Sequence, residues 1–264
     1  MRAPSERTWY HTLDLPDGGR IDGWYDIRSA PQHVPWPAMV RGGRALDVGT
    51  FDGFWAFELE RRGAAEVVAL DVDDPEALDW YYDEEIRGPA AIREWGSERG
   101  PGFEEAAKLM GSSARRVDCS VYDLDEDVAG RFDVVVCGAL LEHLERPIEA
   151  LQRMRSVCDG ELLVVEALSP LLELCAPRIP AARFNADWDQ WWTANSAGLI
   201  RMVHKAGFEV LEVSPRFLLP FGPAAPRPSL KRSIVHRLAA RQPFTQGLLH
   251  RALRARPRER WPSR

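Results

Sequence analysis

The chain has 264 residues, an apolar content of 45% and a formal net charge of −6, which suits one large α/β domain with some decoration. No stretch is long and apolar enough to span a bilayer, and residues 1–20 have no apolar core of the signal-peptide type. Cys119, Cys137, Cys158 and Cys175 include no pair at metal-ligand spacing, so no metal is expected; three sit in or beside apolar runs, which points to buried free thiols and a reducing cytoplasm.

Residues 1–43 alternate turn residues with large aromatics: Trp9, Tyr10 and His11, then Asp17-Gly18-Gly19, then Trp24 and Tyr25. This pattern predicts a short β-hairpin or an extended arm, and Pro31, Pro35 and Pro37 forbid a long helix. Such an arm either packs on the domain that follows or closes over its site as a lid, with His11 or Tyr10 facing substrate.

Ala45 to Val48 is a short apolar run closed by Gly49, which reads as a buried parallel strand. Phe54 to Arg62 has helical spacing. The turn between them carries Gly49, where the backbone must bend sharply, and Gly53, where a ligand or the next helix must come close. A strand, a glycine turn and a helix N-terminus make a nucleotide-binding crevice. A second apolar strand, Glu66 to Asp71, ends in an acid able to accept hydrogen bonds from both hydroxyls of a ribose.

The run Leu46-Asp47-Val48-Gly49-Thr50-Phe51-Asp52-Gly53, followed by Asp71, resembles the S-adenosylmethionine site of class I methyltransferases. Phe51 stands where that family usually has its middle glycine. A dehydrogenase would need the full Gly-x-Gly-x-x-Gly for a pyrophosphate, and this turn lacks it. The resemblance implies a Rossmann-like α/β fold, a doubly wound seven-stranded sheet, mostly parallel with one antiparallel strand. It also implies S-adenosylmethionine as cofactor, held by Asp47, Gly49, Thr50, Phe51, Asp52 and Gly53 and by Asp71 and Val72.

Farther along, Gly96 to Gly102 reads as a loop, Phe103 to Met110 as a helix capped by Gly111, and Arg116 to Cys119 as a strand. In the resembling family the next segment holds the adenine, and Ser120 and Val121 are the matching positions. Phe132 to Cys137 is the clearest strand of the chain and runs into Gly138. Cys137 and Gly138 complete the expected cofactor set. Just beyond lie Glu142 and His143, the candidate general bases. The other reading of His143 is structural, a side chain bonding the next loop.

Pro147 to Val157 reads as a helix opened by proline, Glu161 to Glu166 as a strand, Asn195 to Ala206 as a helix and Phe208 to Val213 as a late strand. Between them, residues 167–194 form an insertion with Trp188, Trp191 and Trp192, which either wall an acceptor pocket or pack into the core. Phe132 to Gly160 together with Trp191 to Val210 resembles a narrower group, the relatives of the tRNA wobble-uridine carboxymethyltransferase. Those enzymes carry a tyrosine before the histidine to help hold a cofactor carboxylate. Glu142 in that place would repel it, so ordinary S-adenosylmethionine and plain methyl transfer are expected.

The end of the chain differs from its body. From Arg227 onward eleven basic residues meet one acid, Glu259, leaving 23 basic against 39 acidic residues before it. Leu230, Ile234, Val235 and Leu238, then Leu248, Leu249, Ala252 and Leu253, have helical spacing. The expected organisation is therefore an N-terminal aromatic arm (1–43), a methyltransferase domain (44–220) and a basic C-terminal extension (221–264). That extension is either solvated or a surface for RNA or an anionic membrane. Function is expected to be methylation of a small molecule such as a sugar or secondary metabolite, with tRNA modification and a non-catalytic nucleoside-binding scaffold as alternatives.

Overall fold

The computed structural model describes residues 9–80, 99–187, 190–225 and 247–259. The N-terminal arm holds four short strands, β1 (Trp9–His11), β2 (Leu13–Asp14), β3 (Arg20–Ile21) and β4 (Gly23–Tyr25). Strands β2 and β3 form the expected hairpin around Asp17-Gly18-Gly19, while β1 and β4 pair in parallel. Then follow β5 (Arg44–Val48), α1 (Phe54–Arg61), β6 (Glu66–Asp71), α2 (Arg99–Met110) and β7 (Arg115–Asp118). The second half contains the short α3 (Glu126–Ala129), β8 (Phe132–Gly138), α4 (Pro147–Val157), β9 (Cys158–Ala167) and α5 (Pro170–Cys175). It ends with β10 (Ala182–Asp187), β11 (Gln190–Ala194), α6 (Ser196–Lys205), β12 (Phe208–Val213), β13 (Phe217–Pro220) and β14 (Gly247–Pro257).

Seven strands follow one another in the order β12-β14-β9-β8-β5-β6-β7, and β13 pairs with β14 beyond the end of β12. Only β14 runs against its neighbours on that path, so the sheet is mixed with one antiparallel strand. Apolar residues fill both faces. Leu46, Val48, Leu151, Met154, Leu199, Val203 and Phe208 lie on the side of α4 and α6. Ala45, Val134, Val136, Phe54, Trp55 and Phe217, with Trp9 and Ile21 of the arm, lie on the side of α1. Burial on both faces explains why the central strands read as continuous apolar runs without alternation.

Two expectations fail. The pattern at Leu248, Leu249, Ala252 and Leu253 is not a helix: these residues belong to β14, inside the sheet. A strand covered on both faces loses the period of two, and pairs of apolar residues separated by arginines then imitate helical spacing. The methyltransferase fold thus does not close at residue 220, because β14 supplies the strand between β9 and β12. The companion segment Leu230 to Arg241 lies outside the described residues. Second, the loop expected up to Gly102 is already helical from Arg99. Gly100 and Gly102 resemble breakers, yet a Cβ on Gly100 would lie 2.7 Å from the Asp73 carboxylate, so glycine there lets the first turn of α2 press against the loop after β6.

Candidate active site

Strand register builds the site. Val48 stands level with Leu70 on one side and Cys137 on the other, so Gly49, Asp71 and Gly138 follow in one row at the carboxyl edge. Sequence order reverses between β5 and β8, and the carboxyl edge at such a reversal is where α/β sheets hold ligands. Asp118 pairs with Asp71 in register, which brings Ser120 and Val121 to the same edge.

The floor of this crevice is anionic. Asp47 is wholly buried, and neither carboxylate oxygen has a hydrogen-bond donor in good geometry; the neighbouring Thr50 hydroxyl has no partner either. Burial pushes the Asp47 pKa up to about 7, opposed mainly by the nearby Thr50 hydroxyl and by His11. A buried acid so poorly supplied with donors is costly, and a cation would offset that cost. The amino acid end of S-adenosylmethionine carries an ammonium group, so the residues present fit that cofactor. Asp71, at the tip of β6, is 5% exposed; its Oδ2 accepts from the Phe51 amide at 2.7 Å and its Oδ1 from the Val72 amide at 2.8 Å.

Both flanking loops are held in uncommon backbone conformations. Phe51 and Ala139 are the non-glycine residues with positive φ, 49° and 51°, among the described residues. Each left-handed residue costs about 1 kcal/mol or more, which the surroundings must offset. The Phe51 ring stacks on Tyr10, with centroids 4.5 Å apart. Ala139 donates its amide to Val165 O at 2.7 Å, and the next two amides, of Leu140 and Leu141, both donate to Glu166 Oε1 at 2.9 Å. Glu166 is buried and its pKa is raised to about 7 by burial. The sequence offered a signal for it, an acid closing an apolar strand, that motif reading passed over.

The remaining candidates divide. Gly49 admits the loop after β8, since a Cβ there would meet Leu140 at 2.9 Å. Gly53 faces the rings of Phe57 and Phe103, so glycine there admits the packing of α1 against α2. Gly138 lies under Trp55, whose Nε1 would be 2.1 Å from an added Cβ. The Cys137 thiol is fully buried beside Glu166, and both push its pKa well above the ordinary thiol value. Ser120 caps the turn that follows, its hydroxyl accepting from the Tyr122 amide at 3.3 Å, and Val121 is buried.

Asp52 and His11 are joined to each other, as the packed-arm alternative has it. Asp52 is buried and clamps the arm: it accepts the amides of Tyr10 and His11 at 3.1 and 2.8 Å and meets the His11 Nδ1 in a short contact. His11 is therefore engaged with the glycine turn, not presented as a free base, and its carboxylate partner is spent on the arm. Asp52→Ala is expected to cost about 2–4 kcal/mol, since it strips three donors of one buried acceptor. It should also speed protease cleavage within residues 9–25; an unchanged cleavage rate would show that the clamp does not hold the arm.

Glu142 and His143 sit in a turn after β8, Glu142 buried and His143 Nε2 3.9 Å from Glu142 Oε1. Strand β11 packs against this turn. Trp191 Nε1 donates to Asp79 O at 2.8 Å and Trp192 Nε1 to Glu145 O at 3.2 Å, while Phe184 tilts against both indoles. Trp191 and Trp192 thus belong to a β10–β11 hairpin strapped across the edge of the sheet next to His143; Trp188 lies outside the described residues. Asp79 also takes the Tyr122 hydroxyl and the Glu145 amide, tying three loops together.

The family model described as a methyltransferase domain matches residues 28–213, well over half of the chain. Among solved structures, the N-terminal domain of EvdMO1, crystallised with S-adenosylhomocysteine and D-fucose, is 16% identical with a TM-score of 0.53, over 95% of this chain and 91% of that one. A Listeria monocytogenes protein described as an S-adenosylmethionine-dependent methyltransferase is 12% identical with a TM-score of 0.52, over 88% and 98%. The [4+2]-cyclase SpnF is 16% identical with a TM-score of 0.52, over 88% and 80%. These likenesses speak for the fold. No curated protein matches by sequence. The narrower likeness to tRNA carboxymethyltransferases finds no support in these matches, and the coarser one holds: the chain belongs to the methyltransferase domain family, the class I S-adenosylmethionine-dependent methyltransferases.

Proposed function

We propose that the enzyme methylates a small molecule, such as a sugar or a secondary metabolite, rather than tRNA. The observation that carries this reading is the fate of the C-terminal arginines. Within the described residues Arg254 pairs with Glu161 and Glu212, Arg256 pairs with Glu209, Arg251 donates to Ser214 O, and Arg258 contacts His204. Arg251 and Arg254 are partly buried in these contacts and Arg256 and Arg258 are exposed but engaged, and arginines tied to acids and carbonyls of the fold make a weaker phosphate surface. At the carboxyl ends of β6, β7 and β8 the arginines are likewise engaged: Arg116 with Asp73, and Arg146 with Glu149 while lying 4.0 Å over the Tyr122 ring.

In this reading Asp47 faces the cofactor's ammonium, Asp71 its ribose, and Ser120 and Val121 its adenine. Bound there, S-adenosylmethionine supplies a methyl group on a positively charged sulfur, a leaving group already activated. The protein's share is alignment and exclusion of water. Loop 138–142, held rigid by Glu166, fixes the floor, and the tryptophan hairpin beside it walls the acceptor. His143, partly exposed just after that loop, takes the acceptor proton.

SpnF shows that this fold also serves a cyclase, so the test must follow the methyl group itself. Labelled S-adenosylmethionine is offered with a small-molecule extract, with D-fucose and with bulk tRNA. Label in a small molecule is expected; label in tRNA alone would overturn the reading, and label in neither would favour a binding scaffold. His143→Ala should slow transfer by ~100-fold if it is the base, and a wild-type rate would return it to a structural role.

A further inference from the structure

Arg99 opens α2, and its Nη1 lies 2.7 Å from Asp71 Oδ1. Its guanidinium also lies 4.7 Å over the Phe51 ring, and Gly100 seats the helix start against Asp73. Asp71 is 5% exposed and the Arg99 side chain 19% exposed, so this pair is partly shielded from water. A carboxylate offers about four lone-pair positions, two on each oxygen. Asp71 Oδ1 already takes the Val72 amide and Arg99, and Oδ2 takes the Phe51 amide. A ribose diol gripped through both oxygens needs one position on each. Oδ2 has one to give; Oδ1 has one only when Arg99 leaves.

The geometry points to Arg99 as a competitor for the ribose position on Asp71, a residue that sets cofactor affinity by having to yield its place. The inference rests on the reading of Asp71 as the ribose acid. The Val72 amide belongs to the loop of Asp71 itself and the Phe51 amide to the glycine turn that forms the crevice, and neither can retreat without dismantling it. Arg99 can, because it hangs on a side chain with several rotatable bonds and lies at a helix start. Its positive charge also stands near a cofactor that carries a sulfonium, so it disfavours S-adenosylmethionine more than the uncharged sulfur of S-adenosylhomocysteine.

The test is calorimetric titration of Arg99→Met with S-adenosylhomocysteine and with S-adenosylmethionine, beside wild type and Asp71→Ala. Arg99→Met should bind S-adenosylhomocysteine more tightly, on the order of tenfold, because a charge-assisted bond no longer has to break first. The gain should be at least as large for S-adenosylmethionine. Weaker or equal binding by Arg99→Met overturns the inference, since Arg99 would then hold the cofactor or stand clear of it. Should the methionine variant not fold, Arg99→Gln carries the same expectation. The Asp71→Ala arm separates the two layers: binding unchanged by it means that Asp71 is not the ribose acid, whereas binding lost by it with no gain from Arg99→Met removes only the competition.

Discussion

Ending the chain at Gln246 is expected to abolish folding, although composition alone marks the last forty residues as a basic appendage. The deletion removes β14, and with it the partners of β9 from Leu162 to Ala167 and of β12 from Phe208 to Val213. It also uncovers Leu249, Ala252, Leu253 and Ala255, all wholly buried, and the residues they cover. Burial of one leucine is worth about 2 kcal/mol, and each orphaned backbone group near the core costs about 1–3 kcal/mol. Summed over a strand, the loss exceeds the whole stability of an ordinary domain, about 5–15 kcal/mol. Far-UV circular dichroism and a thermal melt check it; a soluble truncation with a cooperative transition would show that β14 is dispensable. One consequence concerns RNA. Removing residues 227–264 cannot test whether the basic segment binds it, because the sheet goes too. Charge-removing substitutions at Lys231, Arg232, Arg237 and Arg241 ask the same question without touching β14.

What the sequence revealed and what it hid follow from how far apart the interacting residues are. Strands β5, β6, β8 and β9 and helices α1, α4 and α6 were legible because each carries its signal locally, in an apolar run, a proline at a first turn or an Asn195 cap. The glycine turn with Asp71 was legible because the family pattern compresses a long-range arrangement into twenty-five residues. Glu166 and Arg99 were not. Their importance comes from partners twenty-five or more positions away, Leu141 and Asp71; an acid closing an apolar strand marks Glu166, yet no spacing rule joins either residue to its partner. Asp52 shows the reverse case. It stands in the right motif, yet the arm, forty-one residues earlier in the chain, claims it through His11. Phe51 was visible as a departure from glycine, and the structure adds the reason it is tolerated: the ring packs on Tyr10 and Arg99, and that packing offsets a left-handed backbone.

Asp47→Asn is expected to move stability and cofactor binding in opposite directions. The folded-state pKa of Asp47 is raised from 3.8 to about 7 by burial. A raised acid binds a proton in the folded state that the unfolded chain has already lost between about pH 4 and pH 7. Stability therefore falls as pH rises through that window and is flat above it. Glu166, raised from 4.5 to about 7, adds a second fall over nearly the same range. At pH 8 the free protein carries the full cost of a buried anion at position 47. The asparagine side chain is neutral and removes most of that cost, though its amide lacks partners in turn. A gain of about 1–3 kcal/mol is expected at pH 8, read as a Tm several degrees higher. The gain should vanish at pH 5, where Asp47 is already protonated. Cofactor binding should weaken by about 2 kcal/mol, ~30-fold, because the ammonium loses a charged acceptor. In wild type the incoming cation favours the ionised acid, so binding below pH 7 should release a proton, seen by calorimetry in buffers of different ionisation enthalpy; Asp47→Asn should release none. Destabilisation at pH 8 with unchanged affinity would mean that the acid serves the strand and not the ligand. The expected combination would instead show a site kept in deficit by design, its missing counter-charge carried by the molecule it receives.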